Sequence, residues 1–304
     1  MIKDKIFIND EIKTAIFEKK PIVALESTLI SHGFPYPQNI EVALSSIKAV
    51  RKAGAIPATI GIMKGKIKIG LLNKDIEIFA KSKNVKKVSN HNFLISLKNN
   101  ETASTTVGSS IMIASMFKIK FFSTGGIGGV HRNFETTGDI SNDLISLSKN
   151  STFVICSGPK SILDIDRTFE LLETLGIPRI GYNTKFMPGF WFSKTNKILD
   201  YNFKKNNELI SYLKLHDHIQ KNNSVLIFNP VPKNKSLKKI QVENWINKSL
   251  EVCLKKNISG KEVTPFLIKE INRLSNNASL KANSSLIINN AYLAGKLAKK
   301  FYSN

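Results

Sequence analysis

Three short apolar runs break off abruptly into small polar or glycine-rich segments. Ile22–Leu25 runs into Glu26, Ser27 and Thr28, Lys120–Thr124 into the glycine loop GGIGGVH, and TFVICSG into Pro159 and Lys160. Runs this short, bounded by turn residues and separated by stretches with helical spacing, read as buried strands alternating with helices. Alternation of that kind predicts an α/β layered fold with a mostly parallel central sheet. In such sheets ligands collect beyond the carboxyl ends of the strands. Glu26, the GGIGGVH loop and Lys160 are therefore expected to meet at one edge.

The remaining elements follow from the same patterning. Residues 11–19 predict a short amphipathic helix, SHGFPYPQN a turn-rich segment, and Glu41–Ala53 a helix stopped by Gly54. IPATIGIM and KIKIGL flank Lys64-Gly65 as a hairpin. Helices are expected over Thr105–Phe117, over Ser141–Lys149 with Ser141 as N-cap, and over Pro159–Leu175 with Gly176 and Pro178 beyond its end. A strand is expected at Arg179–Tyr182. Further helices are expected over Asn206–Lys221, Val242–Lys255, Glu262–Leu274 and Asn283–Tyr302, the last two in the tail from Gly260.

Composition excludes several alternatives. With 304 residues, 42% hydrophobic and 22% charged, the chain can bury a large core, which excludes disorder as its dominant state. Cys156 and Cys253 are the two cysteines and form no C-x-x-C pattern, which excludes a disulfide scaffold and suits a reducing cytoplasm. No apolar run reaches the roughly 18 residues of a membrane span; Ser109–Phe117 comes nearest and ends at Lys118 and Lys120. Residues 1–10 carry no apolar core of a secretory signal. The balance of 45 basic against 23 acidic residues gives +22. The lysines are scattered, so the surplus reads either as a drift in surface composition or as a surface for phosphorylated ligands.

Several side chains could carry chemistry. Lys160, in the first turn of the expected helix, would feel the positive end of the helix dipole, and partial burial pushes the same way, toward a neutral amine that forms imines with carbonyls. Read otherwise, it is a phosphate-binding or solvated lysine. Gly125, Gly126, Gly128 and Gly129 permit close backbone approach and could form an anion nest, or simply a tight turn. Their spacing matches neither a P-loop nor a dinucleotide fingerprint. Asp139 and Asp143, four apart, suit Mg²⁺ or Mn²⁺ as well as helix capping. His131 is either an acid/base group or a loop hydrogen-bonder.

The segments VALESTLISHGFPYPQN, GAIPATIGIMKGKIKIGL, STGGIGGVHR, DISNDL, PKSILDIDRT, NPVP, GKEVTPFL and SLKANSSLIINNA occur in that order over about residues 21–295. Together they resemble the pseudouridine-5′-phosphate glycosidase family. The resemblance implies a three-layer α/β/α fold as a single domain over residues 1–304, assembled as a cytoplasmic homotrimer. It implies an enzyme of nucleotide catabolism, described by the terms glycosidase, hydrolase and lyase, with one Mn²⁺ per subunit. The reaction implied is reversible cleavage of pseudouridine 5′-phosphate to uracil and ribose 5-phosphate. Residue by residue, Glu26 matches the proton donor, Lys160 the covalent nucleophile and Asp139 the metal ligand. Lys87, Val107 and the triplet Ser141, Asn142 and Asp143 match substrate-binding positions, and His131 and Asn283 match further pocket residues.

The chain departs from the family pattern at Asn90, His91 and Asn92, where an arginine-aspartate pair is usual. It departs also at Asn142, where a small residue is usual, and at Lys233 and Asn234, where acidic residues are usual.

The chemistry explains the residue types. A carbon leaving group is hard to expel through the oxocarbenium route of ordinary glycosidases. An amine that forms an imine at C1′ of an opened sugar supplies the missing electron sink. Two rivals remain: another imine-forming lyase on a phosphosugar, and a non-enzymatic basic RNA-binding protein. The second rests on charge alone, without an aromatic motif or a clustered basic stripe, so no specific nucleic acid partner is expected.

Overall fold

Residues 3–220, 222–258 and 263–303 are described by a computed structural model. In chain order the elements of the first half are β1 Ile6–Ile8, α1 Asp10–Phe17, β2 Ile22–Leu25, α2 Gln38–Lys52, β3 Ile56–Met63, β4 Lys66–Ile69, α3 Asn73–Lys81, β5 Lys86–Val88, α4 Phe93–Lys98, β6 Ala103–Thr105 and α5 Val107–Met116. Those of the second half are β7 Phe121–Ser123, α6 Phe134–Thr137, α7 Asn142–Lys149, β8 Phe153–Cys156, α8 Ile165–Thr174, β9 Arg179–Tyr182, β10 Tyr201–Phe203, α9 Asn206–Ile219, β11 Val225–Phe228, α10 Lys239–Lys255, α11 Val263–Leu274 and α12 Ala278–Tyr302. The expected boundaries at Lys221, Gly260 and Glu262 lie outside the described residues.

One sheet of 11 strands runs through the molecule in the order β1-β4-β3-β2-β7-β8-β11-β9-β10, with β6 branching from β3 and β5 pairing β6. From β3 to β10 along this order every pairing is parallel. The long strand β3 pairs β2 through Ile56–Thr59 and turns its far half to β4 and β6, both antiparallel. The hairpin turn between β3 and β4 has positive φ at both Lys64 (47°) and Gly65 (68°), the primed turn that the sequence predicts.

Successive side chains of the central strands face opposite sides of the sheet. Ala24, Phe122, Val154 and Leu226 pack on one side with Ile12, Ile111, Leu144 and Leu172 of α1, α5, α7 and α8. Val23, Phe121, Phe153 and Val225 pack on the other with Val50, Leu209, Ala294 and Leu297 of α2, α9 and α12. With both faces covered, the short strands read as unbroken apolar runs. This is the expected three-layer α/β/α arrangement with a mostly parallel sheet. Each fully buried phenylalanine contributes about 1.5–3 kcal/mol through its burial. Helices α10, α11 and the start of α12 form a further apolar cluster with Phe190, Trp191 and Phe192.

Two expected helices start later than the spacing predicts. Residues 103–105 are strand β6, and α5 begins at Val107 behind the cap Thr106, whose side chain accepts from the Ser109 N–H. Residues 159–164 are not helical. Pro159 and Leu163 instead pair with Ile127 and His131 of the glycine loop, and α8 starts only after Asp164 accepts from the Arg167 N–H at 3.0 Å. The N-cap at Ser141 and the strand at Arg179–Tyr182 stand as expected. Among the described residues no helix is long and apolar enough to cross a membrane.

Candidate active site

Strands β2, β7 and β8 lie side by side and in register, Leu25 beside Ser123 and Ser123 beside Ile155. Their carboxyl ends therefore deliver Glu26, Thr124 and the Ser157–Lys160 segment to one edge, as the strand patterning predicts. Glu26 is 7% exposed and accepts a 2.5 Å hydrogen bond from the Thr124 hydroxyl. Burial pushes its carboxyl above the ordinary carboxylate range. The charge of Lys160 and the Thr124 bond oppose that rise, the charge of Asp143 adds to it, and Lys87 opposes it. Glu26, Lys160, Lys87 and Asp143 thus share one electrostatic neighbourhood.

Lys160 reaches this place by a different route from the expected one. It opens a turn closed by the Leu163 N–H on its carbonyl at 3.0 Å, and its own N–H donates to the Ile127 carbonyl at 3.1 Å, while the Ile127 N–H donates to Gly158 at 3.2 Å. No helix dipole acts on it, because the glycine loop captures residues 159–163 before α8 begins. Its neighbours register its charge all the same. Burial, then Lys160, lower the Lys87 ammonium, and Asp143, Glu26 and Asp139 oppose that. Lys87 keeps much of its surface open to solvent. His131 is lowered first by burial, raised by Asp139, and lowered again by Lys160 and Lys87.

None of Gly125, Gly126, Gly128 and Gly129 has a positive φ, so dihedral freedom is not what selects glycine there. Space is the reason. A Cβ on Gly128 would lie 2.1 Å from Ser141 Oγ, and one on Gly126 would lie 2.8 Å from the Gly158 carbonyl. Of the loop amides, that of Gly128 is taken from within the chain. Asp143, 6% exposed, accepts from the Gly128 N–H at 2.9 Å and from the Gly108 N–H at 2.8 Å. Of the spaced pair, Asp143 is thereby spent on the backbone and is no free metal ligand.

Asp139 stands apart with a half-exposed side chain, its oxygen 3.6 Å from His131 Nδ1. Among the described residues no three His, Cys, Asp or Glu side chains converge on one point. One open carboxylate still fits a hydrated Mn²⁺ or Mg²⁺, which keeps several waters and is commonly held by one or two carboxylates.

Val107 and Asn142 are the first residues of α5 and α7, brought together by Asp143. Asn90 donates to Ser146 of α7 at 2.9 Å, which places the 90–92 departure at this end of the site. Asn283 lies one turn of α12 before Ile287. Ile287 lines, with Glu26 and Ser123, a cavity of about 10 Å³, and the Asn283 Oδ1 is buried without a partner. A larger cleft of about 300 Å³, lined by Arg132, Asp164, Lys239 and Glu243, contains none of the expected site residues. Cys156 ends β8 beside the site, but complete burial pushes its thiol up to about 12, which removes it as a nucleophile near neutral pH.

Two side chains that the patterning did not single out hold the site together. Thr124 meets Glu26. Asn290 of α12 is the second, and its only local signal is a polar residue on an apolar helix face.

The family model described as Indigoidine synthase A like protein matches residues 11–300. A pseudouridine-5′-phosphate glycosidase of Petrotoga mobilis is 45% identical over 294 residues, covering 97% of this chain and 96% of the relative. One of Brachyspira hyodysenteriae is 42% identical over 303 residues, covering 100% and 98%. Among solved structures, the prealnumycin C-glycosynthase AlnA in complex with ribulose 5-phosphate superposes with a TM-score of 0.90 at 36% identity, covering 98% of this chain and 97% of that one. An indigoidine synthase A-like protein of Thermotoga maritima gives 0.89 at 32% identity, with the same coverage. With identity at this level over nearly the whole length, the chain belongs to the pseudouridine-5′-phosphate glycosidase family.

Proposed function

We propose that this chain reversibly cleaves the C-glycosidic bond of pseudouridine 5′-phosphate, giving uracil and ribose 5-phosphate. The observation that carries the reading is the buried carboxyl of Glu26 within the field of Lys160 at adjoining strand ends. Burial keeps a proton on Glu26 to a higher pH, which suits a general acid. In the cleavage direction Glu26 gives a proton to the ring oxygen as the C1′–O4′ bond opens and the Lys160 amine bonds to C1′. The C1′–C5 pair then leaves with uracil, whose C5 takes a proton, and C1′ remains as an imine on Lys160. Water hydrolyses the imine to ribose 5-phosphate and frees the amine.

The C–C bond thus breaks by elimination, and water enters only afterwards. The enzyme is accordingly a lyase. The hydrolase class expected from the word glycosidase is corrected, in keeping with the C-glycosynthase activity named for the structural neighbour. Lys87, Val107, Ser141, Asn142 and Asp143 form the side of the site where the phosphosugar binds, with His131 and Asn283 at its margins. Asp139 would hold a hydrated Mn²⁺, which supplies Lewis-acid polarisation and ordered water when bound. Cytoplasmic location and homotrimeric assembly belong to the same reading. The first is supported by two free buried cysteines, the second by the exposed apolar side chains Leu94 and Ile95 of α4.

A second reading, an imine-forming lyase that joins a phosphosugar to another carbon acceptor, is favoured by the neighbour bound to ribulose 5-phosphate. Incubating the protein with ribose 5-phosphate, Mn²⁺ and either uracil or other cyclic carbon nucleophiles separates the two. Formation of the uracil C-nucleotide is the expected result, and a product only with another acceptor would replace the first reading by the second.

A further inference from the structure

Asn290 is 0% exposed and lies midway along α12, far in sequence from the strand ends it touches. Its amide donates to the Thr124 carbonyl at 2.9 Å and to Ser157 Oγ at 3.0 Å, with the Gly125 carbonyl at 3.4 Å. Its Oδ1 accepts from the Asn229 amide at 2.9 Å. One side chain thereby ties the carboxyl ends of β7, β8 and β11. At these ends the chains leave the ladder, so Thr124 and Ser157 need other partners, and a buried polar group left unpaired is costly.

Each tie leads to one half of the reacting pair. Thr124, held by its carbonyl, presents its hydroxyl to Glu26. Ser157 donates its N–H to Gly125 at 2.9 Å and its hydroxyl to the Asn229 carbonyl at 2.8 Å, and it begins the segment that carries Lys160. The glycine loop closes the frame, with Ile127 bonded to both Gly158 and Lys160. The hydrogen bonds of Asn290 go to Thr124, Gly125, Ser157 and Asn229, and both Glu26 and Lys160 are hung from backbone that it fixes.

We propose that Asn290 is a positioning residue that sets the distance between the Glu26 carboxyl and the Lys160 amine. The inference rests on the lyase reading above. Positioning of this kind acts on the chemical step, because small misplacements of reacting groups are costly while binding of the phosphosugar is made elsewhere.

The test is steady-state kinetics with uracil, ribose 5-phosphate and Mn²⁺, with borohydride trapping of the sugar on Lys160 as a second readout. Asn290→Asp keeps shape and acceptor but removes the donors to Thr124 and Ser157. It is expected to lower kcat at least ten-fold and slow trapping to a similar degree, with KM for ribose 5-phosphate within about two-fold of wild type. Asn229→Ala removes only the support of the Asn290 Oδ1 and is expected to act in the same direction more weakly. If Asn290→Asp does not fold, Asn229→Ala decides. Wild-type kcat in a folded variant, or a loss confined to KM, overturns the positioning role. A wild-type protein that forms no C-nucleotide overturns the lyase reading and this inference with it.

Discussion

Asp143 and Gly128 are joined by a 2.9 Å hydrogen bond in which a buried carboxylate occupies the backbone amide that a glycine loop would otherwise offer to a ligand. The second oxygen of Asp143 holds Gly108 at the start of α5. Loop, helix and Lys160 backbone are therefore one connected unit.

Breaking that unit should cost activity before it costs the fold. Asp143→Ala strands two buried N–H groups, at about 1–3 kcal/mol each. Gly128→Ala forces the Ser141 side chain away, since its Cβ would lie 2.5 Å from Ser141 Cβ. Both variants are expected to retain the sheet by circular dichroism, to unfold at lower urea concentration, and to lose at least 90% of turnover. Normal turnover in Gly128→Ala would show that the loop has no part in placing Lys160.

Lys160 and Glu26 should be separable. Lys160→Arg retains a cation that cannot form an imine, so turnover and borohydride-trapped adduct should both vanish. Glu26→Gln spares the amine. Turnover should fall by about 10²–10⁴ while a slow adduct on Lys160 still forms with ribose 5-phosphate. Peptide mass spectrometry reads the outcome directly, and an adduct mapped to Lys87 would transfer the nucleophile's role to that residue.

Metal dependence follows from the single open carboxylate. Chelation with EDTA should abolish turnover and Mn²⁺ should restore it. Asp139→Ala should bind Mn²⁺ more weakly by calorimetry at an unchanged melting temperature, because its side chain is half-exposed and meets His131 at a loose 3.6 Å. Full activity in EDTA would remove the metal from the reaction.

His216, on α9 against Phe153, gives the fold an acid limit. Its Nε2 meets Asn223 Oδ1 at 3.2 Å and its Nδ1 is buried without a partner, so a second proton would have no acceptor. Burial holds its pKa below 6.5, with Asn223 and Asp217 opposing and Lys120 adding. A histidine depressed in the folded state stabilises fully above the unfolded value of about 6.5, and that contribution is lost as pH falls below it. Urea midpoints should therefore drop as pH falls below about 6.5. His216→Gln should flatten the slope without removing it, since His32 and His131 are depressed as well. A slope unchanged in the variant would clear His216 of the effect.

The sequence by itself determined the strands β2, β7 and β8 and what ends them. Each is a local apolar run whose polarity changes at one residue, and parallel pairing then places Glu26, the glycine loop and Lys160 at one edge. It also determined the Lys64-Gly65 hairpin and the Ser141 cap, which depend on a few adjacent residues. Tertiary structure decided the rest. Pro159 reads locally as a helix start, yet bridging of Pro159 to Ile127 and of Leu163 to His131 holds residues 159–163 in a turn outside the helix. The glycines read either as an anion nest or as a tight turn, and the Gly128 amide is taken by Asp143 of α7. The bridging of three strand ends by Asn290 carries almost no local signal, since its partners lie between 61 and 166 residues away. Local patterning reports which face a residue prefers, while a buried hydrogen bond needs two groups that only the assembled sheet brings within 3 Å.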